Sequence, residues 1–310
     1  MTARRVRIQA LAKLNLDLRV LYRRPDGYHE IRTIFQTISL ADRLELELRP
    51  ARRTAVRIRS DLEIADNLAA RAAEACLEAM KLRAEVEIVL YKRIPMGAGL
   101  GGGSSDAAAV LLALPALAGR PLPLPARLAV AHALGSDVPF FLYGGMAAAV
   151  GRGTELYPLP DRPLPAAVLV TPGVHVATPA AYRALQRPPH DELTTNGLQN
   201  TIERFQQLAW SSGFPLGQND FEEPVFADRP ELRLWKRRLR KAGAMHAMMS
   251  GSGSAVFGLY ATRAAAEAAA ESLGAPAQAV SLVSRKQYQR LWRRWLAQLP
   301  LEPEWPPQSR

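Results

Sequence analysis

The sequence predicts an α+β protein that folds as two domains. The chain has 310 residues, 48% of them hydrophobic, which is enough for the cores of two domains of ordinary size. Segments that alternate apolar and polar residues, typical of strands, are interspersed with segments of helical spacing. A proline-rich stretch at residues 156–167, "LYPLPDRPLPAA", separates the two halves, and a new apolar strand is predicted at residues 167–171. This stretch is therefore the predicted domain boundary.

The first half predicts an antiparallel or mixed sheet. Apolar and polar residues alternate in four segments, at residues 6–20, 43–49, 55–59 and 86–91. A period of two places one face of each strand on the core.

Helices are predicted between and after these strands. Residues 66–81 carry a cap-like Asp66 and then apolar residues on one helical face. A second helix, at about residues 105–117, follows the last predicted strand and a glycine-rich loop. In the second half, "AMMSGSGSAVFGLY" at residues 247–260 predicts a turn between two apolar strands, with an alanine-rich helix at 262–273 behind it.

Several classes of protein are disfavoured by composition. Cys76 is the only cysteine, so no intrachain disulfide can form. Lys13, Asn15 and Asp17 interrupt any apolar segment of a secretory leader. The longest apolar runs, at 107–118 and 138–150, are shorter than the roughly 20 residues of a membrane span. We therefore expect a cytoplasmic protein that has no membrane partner.

The chain is basic, with a formal net charge of +11 and a pI near 10.2. Such a charge can attract nucleic acid. However, arginines are spread along the whole chain, and the one dense basic block, at residues 234–243, has helical spacing with an apolar face. We expect a solvated basic surface that favours an anionic small substrate, and no nucleic-acid partner.

The glycine-rich loop "PMGAGLGGGSSDAA", at residues 95–108, carries the strongest functional signal. Backbone amides approach phosphate oxygens closely where no Cβ intervenes, and the start of a helix adds a positive dipole end. The loop fits G-x-G-x-x-G, but no carboxylate lies between Asp106 and Asp137, where a dinucleotide site needs one. No lysine follows Gly103, so the loop is not a Walker A motif. A phosphate-binding loop of another type is predicted, and a plain tight turn is the alternative.

Three ordered motifs together resemble the GHMP kinases, which are named for galacto-, homoserine, mevalonate and phosphomevalonate kinases. They are "ALAKLNLDLRV", the glycine loop and "AMMSGSGSAVFG". The resemblance implies a ribosomal protein S5 domain 2-like N-terminal domain at residues 1–155 and a ferredoxin-like C-terminal domain at 156–283. Residues 284–310 form a basic extension that matches nothing in the resemblance. The family places the second glycine turn, residues 251–254, opposite the first across the active-site cleft.

The resemblance also implies catalytic roles for two residues. Asp137, in "GSDVPFF", becomes the base that accepts the proton of the substrate hydroxyl. Lys13 lies beside it, keeps it ionised and stabilises charge on the transferring group. From the residues alone, Asp137 is a turn or cap aspartate and Lys13 is a solvent-facing strand lysine. A direct contact between the two is the testable prediction.

ATP and Mg²⁺ are the expected cofactors. Ser104 and Ser105 have hydroxyls that can cap the helix or bind phosphate or Mg²⁺, and no metal ligand is identified. Asn67 and Lys92 lie by resemblance near the adenosine, with a capping asparagine and a surface lysine as the alternatives. The full set of predicted ATP-binding residues is Asn67, Lys92, Pro95, Met96, Gly97, Ala98, Gly99, Leu100, Gly101, Gly102, Gly103, Ser104 and Ser105.

The second substrate is expected to be a small molecule that carries a cytosine ring. The combination of "DGYHEI" and "TIFQTI" resembles the member of the family that phosphorylates a cytidine diphosphate-linked methylerythritol. A cytosine needs an aromatic face and hydrogen bonds to its polar edge. The candidate substrate-binding residues are Asn15, Tyr28, His29, Asp137 and Tyr182. A kinase of another small alcohol and a binding protein without turnover are the alternatives; a monomer or homodimer is expected.

Overall fold

The computed structural model describes residues 3–163, 165–188, 195–211, 213–301, 304 and 305, with backbone only for 195–201. Residues 302–303 and 306–310 of the predicted extension, and residues 192–194 and 212, lie outside these ranges. No helix within the described ranges is long and apolar enough to cross a bilayer.

The N-terminal domain is built on a mixed sheet around two long strands. Its strands are β1 (Arg4–Arg23), β2 (His29–Pro50), β3 (Ala55–Ser60), β4 (Ala84–Tyr91), β5 (Met146–Val150) and β6 (Glu155–Pro158). One edge of β2 pairs with β1, and its other edge pairs with β5 and then β4. Among the strand pairs that the described residues form in this sheet, only β3–β4 is parallel. All four predicted strands are present, and β6 extends this sheet beyond the predicted boundary at residue 155, because it pairs with β5.

The C-terminal domain is built on a four-stranded antiparallel sheet in the order β10-β7-β9-β8. Its strands are β7 (Ala166–Val170), β8 (His246–Met249), β9 (Val256–Tyr260) and β10 (Ala277–Ser281). The predicted turn between two apolar strands is confirmed as the β8–β9 connection.

Ten helices lie in the described ranges. They are α1 (Leu68–Ala79), α2 (Gly102–Ala118), α3 (Leu124–Leu134), α4 (Val138–Tyr143), α5 (Thr178–Ala184), α6 (Thr195–Trp210), α7 (Glu222–Asp228), α8 (Pro230–Lys241), α9 (Arg263–Leu273) and α10 (Arg285–Leu296). The predicted order of strand, loop and helix is confirmed in β4 and α2. The predicted Asp66 cap is wrong: Asn67 is the N-cap of α1 and accepts the Ala69 amide, while Asp66 has a positive φ just before it.

Helix α2 is the centre of the N-terminal core. Every residue from Ser105 to Ala118 is buried, as expected of a helix that is apolar on all sides and covered by its neighbours. Strands β1 and β2 pack on it, as do α1, α3 and α4. A second apolar cluster contains residues of both domains, including Leu14 and Leu100 with Leu169 and Phe257. The site loops therefore rest on a core that the two domains share.

Candidate active site

The glycine loop between β4 and α2 holds three of its glycines, Gly97, Gly99 and Gly101, at a positive φ, which favours glycine. Gly99 and Gly101 have φ of +75° and +71°. A Cβ on Gly99 would lie 2.1 Å from the Ser250 carbonyl oxygen, and one on Gly101 would lie 2.8 Å from the Phe141 ring. The loop is thus pressed between the C-terminal domain and α4. This close packing on two sides distinguishes it from a plain turn.

The start of α2 offers unpartnered backbone donors. Gly101 is the N-cap, and no side chain caps the helix. The helix begins at Gly102, three residues before the predicted start, so the prediction that Ser104 and Ser105 serve as N-caps is wrong. Gly103 is exposed and Ser104 is half-buried. Free first-turn amides at the positive end of a 17-residue helix make an anion-binding surface.

The Ser105 hydroxyl is engaged in a buried hydrogen bond within the protein. It donates to the Leu11 carbonyl oxygen at 2.7 Å, and the Ser105 side chain is buried. This bond ties the first turn of α2 to β1. Of the two predicted serine hydroxyls, that of Ser104 is the one at the surface of the loop.

Lys13 is buried rather than solvent-facing. It lies between two register irregularities of the β1–β2 pair, where bulges re-aim side chains. Its Nζ donates to Asn15 Oδ1 at 2.5 Å and to the Gly99 carbonyl oxygen at 2.9 Å. Burial lowers the pKa of the Lys13 ammonium, and the charge of Asp137 opposes that shift. The ammonium is thus held against the glycine loop.

Asp137 meets Lys13 at the start of α4. The Lys13 Nζ to Asp137 Oδ2 distance is 3.6 Å, so the predicted contact is present. The Asp137 side chain is 34% exposed, and it caps no amide of α4. One face of the carboxylate is therefore open to a substrate, while the lysine fixes its position.

The Asn15 side chain accepts a hydrogen bond from Lys13. Its Oδ1 accepts from Lys13, and its Nδ2 donates to Thr33 Oγ1 at 2.8 Å. The residue is buried on β1. Both polar atoms of the predicted substrate-binding side chain thus have protein partners, and the residue holds the lysine in place.

The second glycine turn contacts the first directly, which corrects the expectation that the two face each other across a cleft. Ser250 Oγ donates to the Gly99 carbonyl oxygen at 3.1 Å, and the Ala255 amide donates to the Ala98 carbonyl oxygen at 3.1 Å. A Cβ on Gly251 would lie 3.0 Å from Gly99. The C-terminal domain thereby supports the glycine loop from behind.

Lys92 is buried beneath the loop and is not a surface lysine. Its ammonium bonds Asp42 and, at 2.8 Å, Asp106. Burial alone lowers the pKa of the ammonium, but the two carboxylates outweigh it and raise that pKa. Burial also raises the pKa of Asp106 to about 7. The Nζ lies 3.2 Å from the place that a Gly102 Cβ would occupy, directly under the helix start.

The predicted aromatic residues divide into two groups. His29 and Tyr182 stack with ring centroids 4.7 Å apart, and Phe221 packs edge-on against Tyr182 at 4.8 Å. Burial and the charge of Asp137 raise the pKa of Tyr182 to about 12, which places the phenol in the field of the carboxylate. Tyr28 is 52% exposed and lies instead under the Arg152 guanidinium at 3.4 Å.

Sequence reasoning did not single out three further residues at the site. Ser250 bonds the glycine loop, as described, and its hydroxyl accepts a hydrogen bond from the backbone amide of Asn15 at 3.2 Å. Asn219 donates to the carbonyl oxygens of Met249 and Gly251 and so fixes the second turn. His175 lies against Gly97. Asn219 stands in the polar segment "NDFEEPVF", a signal too general to identify it.

Asp17, two residues after Asn15, is a buried carboxylate beside the site. Its Oδ1 accepts the Gln218 amide at 2.9 Å. Burial raises its pKa to about 6, which the Gln218 bond and Arg19 oppose. It lines a cavity of about 1120 Å³ bordered by α6 and α8.

Comparison with known proteins identifies the family of this chain. The family model described as GHMP kinases N terminal domain matches residues 67–145, and GHMP kinases C terminal matches 194–278. A 4-diphosphocytidyl-2-C-methyl-D-erythritol kinase of Solibacter usitatus is 56% identical over 311 residues, covering 100% of this chain and 98% of the relative. The chain belongs to the GHMP kinase family. Family membership implies that this GHMP kinase uses ATP and a small-molecule acceptor.

Other relatives agree with this assignment. The kinase of the same description from Thermus thermophilus is 44% identical to this GHMP kinase and covers 86% of this chain and 92% of the relative. A crystal structure of 4-(cytidine 5'-diphospho)-2C-methyl-D-erythritol kinase aligns with a TM-score of 0.72 at 44% identity, covering 89% of this chain and 98% of that one. A homoserine kinase from Cytophaga hutchinsonii, at 20% identity and a TM-score of 0.67, shares the fold.

Proposed function

We propose that this GHMP kinase transfers the γ-phosphoryl group of ATP to the 2-hydroxyl of 4-diphosphocytidyl-2-C-methyl-D-erythritol, a step of the non-mevalonate (MEP) route to isoprenoid precursors. The observation that carries the chemistry is the Lys13–Asp137 pair beside the glycine loop. The substrate is supported by the relatives of 56% and 44% identity that carry this activity in their names.

Backbone amides supply the hydrogen-bond donors for the phosphates of ATP. The first-turn amides of α2, uncapped by any side chain, can donate to the phosphate oxygens of ATP. The ammonium of Lys13, fixed at the Gly99 carbonyl, adds positive charge at the same end of the loop. Because these donors are in place before the reaction, little reorganisation is needed as charge develops.

Mg²⁺ fits this site as a partner of ATP rather than of a protein cage. No group of three or more His, Cys, Asp or Glu side chains that could hold a metal is found within the described ranges. Ser104, at the surface of the loop, is the oxygen-bearing side chain that would hold Mg²⁺, with ATP oxygens and water as its other ligands. The chemistry that bound Mg²⁺ supplies is neutralisation of phosphate charge.

Asp137 serves as the base. As the substrate oxygen forms its bond to the γ-phosphorus, the hydroxyl proton passes to the Asp137 carboxylate. The bond between the γ-phosphorus and the bridging oxygen breaks, and its electron pair leaves with ADP. Lys13 holds the carboxylate in position and stabilises charge on the transferring group.

The cytidyl end of the substrate is assigned to the aromatic residues of β2 and α5. His29, whose pKa burial and two arginines lower, presents a neutral imidazole to a base edge. Tyr182, stacked on it, extends the aromatic surface towards Asp137. Tyr28 and Arg152 form an exposed stacked pair that a cytosine ring can join.

The test is ADP release by the purified protein with MgATP and the cytidyl substrate, and with mevalonate or homoserine in its place. Turnover with the cytidyl compound alone is expected. Asp137→Asn should lower kcat by roughly 10²–10⁴-fold, as loss of a general base does. Asp228→Asn, at an exposed position of α7, is the matched control. Turnover of another alcohol instead would reassign the substrate. Full activity of Asp137→Asn would show that Asp137 is not the general base.

A further inference from the structure

The C-terminal extension folds back onto the N-terminal domain. Helix α10 buries Tyr288, Trp292 and Leu296 in the same apolar cluster that contains α2 and α4. Its first residue, Arg285, is buried and donates to the Leu159 carbonyl oxygen at 2.9 Å and to that of Met146. Although α10 lies last in the chain, it is thus part of the core behind the active site.

Tyr288 makes a specific bond to α4, the helix that begins next to Asp137. The Tyr288 hydroxyl donates to the Phe141 carbonyl oxygen at 2.6 Å, and both groups are buried. The last carbonyls of a helix have no partner within it, so the phenol satisfies a group that would otherwise be an orphan. Burial raises the pKa of Tyr288, which keeps the phenol protonated as a donor.

The turn after α4 is shaped to receive α10. Gly144 and Gly145 have φ of +63° and +70°. A Cβ on Gly144 would lie 2.2 Å from the Tyr288 ring, and one on Gly145 would lie 2.6 Å from Arg285 Cβ. The Tyr288 ring therefore occupies the space that Gly144 leaves open, and Arg285 occupies the space at Gly145.

The bonded carbonyl is close to the catalytic residues. Phe141 lies four residues, about one helical turn, after Asp137. Its ring packs against Gly101 of the glycine loop, which also approaches the Lys13 stem. A shift of the second half of α4 would move the aspartate, the loop and the lysine relative to one another.

We propose that Tyr288 is a positioning residue for Asp137: its hydroxyl fixes α4 from behind and so sets the place of the carboxylate that accepts the substrate proton. This inference rests on the proposed function, in which Asp137 is the base. Tyr288 itself touches no substrate.

The test compares Tyr288→Phe with Leu296→Val. The first removes one hydroxyl and keeps the ring, and the second removes one methylene from the same helix and core. Tyr288→Phe is expected to lower kcat about 10-fold, because small misplacements of a reacting group are costly. The KM values for ATP and the alcohol should stay within about 2-fold, since the loss falls on the transition state. Leu296→Val should keep the wild-type kcat.

Hydrogen exchange of the α4 amides supplies a readout that does not depend on activity. Exchange at residues 141–144 should be about 5-fold faster in Tyr288→Phe, the effect of one typical hydrogen bond, and unchanged in Leu296→Val. A wild-type kcat in Tyr288→Phe, or an equal loss in both variants, overturns the positioning role. Absence of ADP release by the wild type overturns the proposed function, and unchanged α4 exchange in Tyr288→Phe then overturns the inference separately.

Discussion

Two buried lysines, Lys13 and Lys92, lie against the glycine loop and have different electrostatic surroundings. Lys92 is enclosed by the carboxylates of Asp42 and Asp106, which raise its pKa against the effect of burial. Lys13 has neutral oxygens as its near partners and one carboxylate at 3.6 Å, and its pKa is lowered. Positive charge is therefore neutralised at Lys92 but remains available to a substrate at Lys13.

Lys92→Met is expected to destabilise the protein by about 3–5 kcal/mol, because it leaves two carboxylates buried without their cation. Urea unfolding at pH 7.5 measures the loss. Lys241→Met, at an exposed lysine at the end of α8, should change the free energy of unfolding by less than about 0.5 kcal/mol. An equally small effect of Lys92→Met would show that the buried ion group contributes little.

Asp17 should make stability depend on pH. Its pKa is about 6 in the folded protein against an ordinary value of 3.8, so the folded state binds the proton more tightly. Its favourable contribution is complete below pH 3.8 and is lost as the pH rises through about 6. The stability of the wild type relative to Asp17→Asn should thus fall by up to about 3 kcal/mol between pH 4 and pH 8.

Unfolding of both proteins in urea at several pH values measures this difference. Asp228→Asn, at an exposed carboxylate, is the control and should show a small, nearly constant difference. A difference between wild type and Asp17→Asn that does not vary with pH would contradict the burial effect.

At the level of elements, the contact between the two glycine turns should be intolerant of a single methyl group. Gly99→Ala places a Cβ 2.1 Å from the Ser250 carbonyl oxygen at a positive φ, so we expect a loss of about 3 kcal/mol or more and weaker ATP binding. Gly103→Ala is the matched control, because its Cβ meets only Leu68 Cδ1 at 3.7 Å. Thermal unfolding should show Gly103→Ala at least as stable as the wild type.

Sequence patterns predicted the elements better than they predicted burial. Strand β1 alternates between exposed and buried over residues 4–9, where one face meets solvent, but residues 10–18 are all buried because the second domain covers the other face. The period of a strand does not show that another domain packs on it. The strand pattern alone therefore predicts, wrongly, that Lys13 faces solvent. The glycines of the loop were informative because a positive φ is a local property of the backbone, whereas the partners of Asn15 and Lys92 lie far away in the sequence.

The helix starts show the same limit. Asn67 and Asp66 are both good capping residues, and local pattern did not decide between them. At α2, the need for a left-handed residue at Gly101 overrode the preference for serine at the cap. Residues 284–310 were predicted only as a basic extension, because the partners of α10 on β5 and α4 are more than 130 residues earlier.

For the whole molecule, the shared apolar cluster predicts joint unfolding of the two domains. Leu14 and Leu100 of the first domain pack with Leu169 and Phe257 of the second in one buried group. Separating the domains would expose that surface, so calorimetry should show one transition with equal calorimetric and van't Hoff enthalpies. Two resolved transitions would mean that the domains unfold independently.

The place of α10 in the chain has a consequence for biosynthesis. Phe141 and its partner Tyr288 are 147 residues apart. At typical translation rates of roughly 5–20 residues per second, the helix that covers the N-terminal core is synthesised about 7–30 s after Phe141. During that interval the nascent chain exposes the apolar surface on which Tyr288 and Trp292 later pack. A chaperone that binds exposed apolar segments can bind the chain at this stage.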